Sequence, residues 1–392
     1  MSIRPGTLVV AVLAVTVLSA CSTGSGANSP KATASQRHSE PANSQISHPV
    51  PIVQAALKAT RGTPLVDPSK ITSGGPGVDG IPAIDRPVHI SVAEASRSLV
   101  DTEQLLVVES HGQALAFPLR SLIVHEIAND VLDGVPIAAT WCPLCNTGVV
   151  YDRRVAGSTT TFGVTGTLYS SAMVMYDRQT RSLWTQPTGQ AVLGQRTGQE
   201  LTVLASSLLP WAEARRSFPA AALVLSDRAE LDAATNPYEG YDSSDKPFLF
   251  RGQLDARLPP FERVAGVSFS GVSRAWPYSL LRAKRTLQDT VAGQPVVLLW
   301  APGTASPLDT ADLRKGRDIG SAAVYSPDIG SRRLTFTHQG REFRDLQTGS
   351  TWTLGGLALE GPLKGDRLRR LPSQDAFWFA WAAFNPQTDI AR

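Results

Sequence analysis

No apolar run in this sequence is long enough to cross a bilayer as a helix. An excess of charge of one sign is missing too. Against 34 Asp and Glu stand 37 Lys and Arg, a formal net charge of +3, which gives no sign of a nucleic-acid partner. There is no G-x-S-x-G elbow, Walker loop, H-E-x-x-H pair or G-x-G-x-x-G after a strand. These absences exclude the common hydrolase, nucleotide-binding and zinc-protease readings. Cysteine and methionine are scarce, with three of each, so each sulfur can be considered by position.

The N-terminus has the form of a secretory signal: Arg4, then an apolar run from Thr7 to Leu18 of about a dozen residues. Leu18-Ser19-Ala20-Cys21 follows as a lipobox. Residues 1–20 are therefore expected to be removed and Cys21 to be lipidated, giving a lipoprotein anchored on the extracytoplasmic face of a cell membrane. A plain secretory signal with an incidental cysteine is the alternative. Residues 21–50 are rich in Ser, Ala, Asn, Pro and Gly and hold almost no large apolar side chain, a composition that cannot bury enough surface to fold. As a tether of roughly 28 residues it reaches about 30 Å root-mean-square.

The remainder divides into a first unit (51–226), a connector (227–263) rich in Tyr, Asp, Asn, Pro and Gly, and a second unit (264–392). Landmarks recur between the units in the same order. Phe117-Pro118 matches Trp276-Pro277, Trp141 matches Trp300, and Tyr151 and Phe162 match Tyr325 and Phe336. The run from Asp177 to Trp184 matches that from Asp345 to Trp352. Short apolar runs such as Leu105 to Val108 and Met173 to Tyr176, bounded by Gly and Asp turns, predict strands. The closing segments 208–218 and 376–384 read as helical. The expected fold is mainly β (α+β): two tandem related β-rich units with short helices, arising from an internal duplication and packed about an approximate twofold. The connector reads as an ordered linker or a surface loop.

Chemistry is best sought where the copies differ. Trp141-Cys142-Pro143-Leu144-Cys145 faces Trp300-Ala301-Pro302-Gly303-Thr304, and His125-Glu126 faces Lys284-Arg285. Once Cys21 is lipidated, Cys142 and Cys145 are the remaining thiols, and their C-x-x-C spacing suits a reversible disulfide or two ligands to a soft metal. Turn and strand follow the pair rather than a helix, which argues against a thioredoxin fold. In the redox reading Cys142 attacks and Cys145 resolves, with His125 and Glu126 tuning the thiolate and an unidentified protein or electron-transfer partner. In the alternative, copper or zinc binds Cys142 and Cys145 with some of His125, Met173 and Met175. A non-catalytic surface binding module is the third reading. Methionines alternating on a strand are more often core filling, and the cysteines could simply close a turn.

The stretches His125 to Asp130, Thr140 to Asp152, Thr161 to Gly166 and Met173 to Thr180 resemble a bacterial and archaeal family described as domain of unknown function 3179. The similarity runs from about Gln104 to Pro386. The resemblance supplies no activity, but it favours redox chemistry, because some relatives carry selenocysteine in the segment corresponding to Cys142 to Cys145.

Overall fold

The computed structural model describes residues 50–231 and 235–392. The signal segment, Cys21, the tether and the histidines His38 and His48 lie outside them. The described chain is mainly β with short helices, as its alternating apolar pattern implies.

After a helix over Pro51–Ala59 and a strand over Val88–Ser91, the first unit continues with hairpin β1 (Gln104–Ser110) and β2 (Gln113–Pro118), followed by helix α1 (Leu119–His125). Next come β3 (Ile127–Leu132), β4 (Val135–Cys142) and β5 (Thr147–Asp152), which form an antiparallel meander. A further sheet holds β6 (Phe162–Tyr169), β7 (Ala172–Asp177), β8 (Leu183–Thr185) and β9 (Gln190–Leu193). Strand β10 (Ser206–Pro210) then returns to pair with β1 and leads into α2 (Trp211–Ser217).

The second unit presents the same succession: β11 (Arg263–Phe269), β12 (Val272–Pro277), α3 (Tyr278–Lys284), β13 (Thr286–Val291), β14 (Gln294–Ala301) and β15 (Ser321–Tyr325). The sheet β16 (Phe336–Gln339), β17 (Glu342–Asp345), β18 (Thr351–Trp352) and β19 (Ala358–Glu360) follows, then β20 (Gln374–Phe377) and α4 (Trp378–Phe384).

Local chemistry recurs as well. Asp133-Gly134 and Ala292-Gly293 turn the β3–β4 and β13–β14 hairpins with positive φ at both residues, the geometry that matches strand twist. Helices α1 and α3 each end on a residue with positive φ, Glu126 at 59° and Arg285 at 65°. Each of these donates its N–H back to the helix and accepts at its carbonyl from Trp141 or Trp300, at 2.9 and 2.8 Å. Tyr151 donates to the Gln186 carbonyl and Tyr325 to the Leu354 carbonyl, both at 2.6 Å.

The sequence-based helix over 208–218 is corrected at its start. Leu208 and Leu209 belong to β10, where they pair with Leu106 and Leu105, and the helix begins only at Trp211. The same holds for 376–384, where Ala376 and Phe377 complete β20. In both cases burying apolar residues against an existing strand outweighs local helix propensity.

The uninterrupted apolar run of β1 has a packing cause. Leu106 and Val108 face a core that holds Trp141, Cys142, Met173 and Trp184, whereas Leu105 and Val107 face a second core shared with Val297, Leu299, Tyr325 and Trp352. Both faces of the sheet are covered, so every position is apolar. Among the described residues no helix is long and apolar enough to cross a membrane.

Candidate functional site

Cys142 ends β4 and pairs with Thr147 at the start of β5, so Pro143 to Asn146 form a four-residue turn. The Pro143 carbonyl accepts from the Asn146 N–H at 3.2 Å, and Asn146 takes φ 52°, a conformation that Asn tolerates. The turn brings the two cysteines together as free, buried thiols, with Cys145 Sγ 3.9 Å from the Cys142 carbonyl. Burial pushes the Cys142 thiol well above its usual range, and the neighbouring Cys145 thiol adds to this. Backbone N–H groups of Met173 and Cys145 pull the other way without prevailing. The turn is tied to its surroundings through its carbonyls: Tyr241 donates to Leu144 at 2.9 Å, and the Phe377 N–H donates to Cys145 at 3.0 Å.

Glu126 stands beside this pair because its carbonyl is bonded to the Trp141 N–H, one residue before Cys142. Its side chain is buried, and no hydrogen bond holds the carboxyl among the described residues. Burial, with a smaller contribution from the neighbouring Cys142, pushes its pKa up to about 8. Tyr238 and Tyr241 of the connector complete the surroundings. Both phenols are raised, first by burial, with Cys142 contributing to each and Glu126 to Tyr238. Phe250 and Phe261 pack against the same core. These aromatic residues escape a reading of the connector as a linker or surface loop; five Tyr and Phe between 238 and 261 were the available signal, since solvated loops seldom carry so many.

The other candidate ligands are placed differently. His125 uses both ring nitrogens, Nδ1 at 2.6 Å from the Pro82 carbonyl and Nε2 at 2.7 Å from Glu230. Neither is left as an uncommitted lone pair for a metal. Met173 and Met175 fill the core on one face of β7, and Met173 reaches Cys142 with its backbone N–H. Among the described residues no group of three or more His, Cys, Asp or Glu side chains converges to hold a metal ion.

The His125–Glu230 contact fastens the start of the connector to α1. Burial alone would lower the His125 pKa, but bonds to Glu230 and Pro82 raise it above 6.5. Burial pulls Glu230 upward, and bonds from His125, Ser121 and Ser226 outweigh it and bring its pKa to about 2. Glu230→Ala removes this fastening, and alkylation of Cys142 and Cys145 by iodoacetamide in the native protein should become about tenfold faster, as a local loss near 1.4 kcal/mol implies. An unchanged rate would mean that reagent reaches the thiols without opening this end of the connector.

The family model described as Protein of unknown function (DUF3179) matches residues 78–388, and the chain belongs to that family. No curated protein and no solved structure matches the chain.

Proposed function

We propose that this member of a family of unknown function is a lipid-anchored extracytoplasmic protein whose Cys142–Cys145 pair exchanges electrons with disulfides, with Glu126 as the proton acceptor. The observation that carries the reading is the placing of two free thiols on one turn beside a buried carboxyl with no hydrogen-bond partner among the described residues. In the reaction Cys142 gives its proton to Glu126 and attacks one sulfur of a substrate disulfide. The first thiolate leaves and takes a proton. Cys145 then attacks the mixed disulfide, and the second substrate sulfur leaves as a thiol. Two thiols of the protein are oxidised and one external disulfide is reduced to two thiols, so protons and electrons balance.

Proton transfer within the site suits its burial, because the negative charge moves between Cys142 and Glu126 without a second charge being buried. Glu126 accepts a proton only when ionised, so the exchange rate should rise with pH up to about 8. The landmarks shared by the two units further support descent from a duplicated ancestor, of which the second copy lacks the thiols.

A soft metal such as copper(I) or zinc is a second reading, favoured by the closeness of two buried thiols with no disulfide between them. Elemental analysis of protein exported and purified without chelators separates the two. In the redox reading the wild type is metal-free and cycles between dithiol and disulfide against a glutathione buffer, and Cys142→Ser abolishes the cycle. Near-stoichiometric copper or zinc that disappears in the Cys142→Ser, Cys145→Ser protein would overturn it.

A further inference from the structure

The second unit carries charged groups at positions where the first has none. Between β14 and β15 it holds a long segment, residues 302–320, in place of the four-residue cysteine turn. Arg317 and Asp318 of that segment line a cavity of about 450 Å³ together with Glu262, Arg263, Tyr278 and Arg282. At the positions of Arg263, first in β11, and Arg282, fifth in α3, the first unit has Gln104 and Ile123.

We propose that this cavity binds a tetrahedral oxyanion of the phosphate class. Arg263 is only 8% exposed, and while its guanidinium bonds Asp242 at 2.6 Å and Ser306 at 3.0 Å, its buried Nε–H has no partner among the described residues. Arg282 makes no ion pair among the described residues; its guanidinium lies 5.7 Å from the Trp300 ring centroid. Arg317 is held by Asp309 at 2.6 Å and Asp242 at 2.9 Å, which fixes its position at the rim.

The lining carboxylates are already committed to the backbone. Glu262 accepts from the Ser279 N–H, and Asp318 from the N–H groups of Gly303, Thr304 and Gly320. Arg282 therefore lines the cavity with a guanidinium free of ion pairs among the described residues, while Glu262 and Asp318 each accept backbone N–H groups. The three arginines come from separate segments, and donors spread in this way suit the several oxygens of a tetrahedral anion better than the two of a planar carboxylate.

The test is calorimetric titration of the full mature protein with inorganic phosphate at constant ionic strength, beside acetate and vesicles of phosphatidylglycerol. Saturable phosphate binding that weakens about tenfold or more in Arg282→Ala, with an unchanged melting temperature, supports the site. Vesicle binding that phosphate displaces supports it as well and assigns a lipid headgroup as the source of the anion. Absence of phosphate binding at millimolar concentration, equal binding of acetate, or affinity unaltered in Arg282→Ala would each overturn the proposal.

Discussion

Glu126→Gln should stabilise the folded protein by on the order of 4 kcal/mol at pH 8.5 and leave it almost unchanged at pH 4. In the unfolded chain the carboxyl titrates near 4.5, whereas in the fold burial raises it to about 8. Below the lower value both states are protonated, and the side chain costs nothing beyond what Gln would. Between the two values the unfolded chain releases a proton that the folded chain keeps, so stability falls as pH rises. By pH 8.5 the loss is nearly complete, and three and a half pH units at about 1.4 kcal/mol each set a ceiling of about 5 kcal/mol, most of which is reached there. Urea denaturation of wild type and variant across this range measures the difference directly. Parallel curves for the two proteins would show that Glu126 is not held neutral. The same substitution removes the proposed proton acceptor, so the variant that gains stability should lose disulfide exchange.

A loss of similar size is expected for Asp345→Ala. Asp345 has no solvent exposure and accepts from the Thr348 N–H at 2.6 Å, the Ser350 N–H at 3.1 Å and the Trp352 indole at 3.0 Å. Truncation leaves those donors unpaired inside the protein, at about 1–3 kcal/mol each before relaxation. A net destabilisation of about 4 kcal/mol is expected, visible as a large fall in melting temperature. Asp177 holds Thr180 and Trp184 in the first unit in the same way, with the indole bond at 3.1 Å, and Asp177→Ala should behave alike. A fall of less than 1 kcal/mol in both variants would mean that the indoles find other acceptors.

The matching runs from Asp177 to Trp184 and from Asp345 to Trp352 explain how much of the fold was legible. A carboxylate, a small hydroxyl residue and a tryptophan at fixed spacing build one local knot, and such knots can be read without tertiary information. The mainly β class was legible for a similar reason, because strand alternation and turn residues are local signals. The boundary at Trp211 was not, since Leu208 and Leu209 are strand residues only by virtue of β1 beside them. The candidate site was half legible. Cys142, Cys145 and Glu126 stand out by comparing the two units, but Tyr238, Tyr241 and Glu230 lie about 100 residues further along the chain. Their approach depends on the path of the connector, which no local pattern encodes. The path also explains His125, whose ring is engaged by Glu230 and Pro82.

The bond from the Phe377 N–H to the Cys145 carbonyl bears on truncation of the chain. A gene shortened to its cysteine-bearing portion would encode a turn with one carbonyl stripped of its donor and a wall of Phe377 and Phe379 removed. Expressed without the second unit, the cysteine-bearing portion is therefore expected to lose the geometry of its turn.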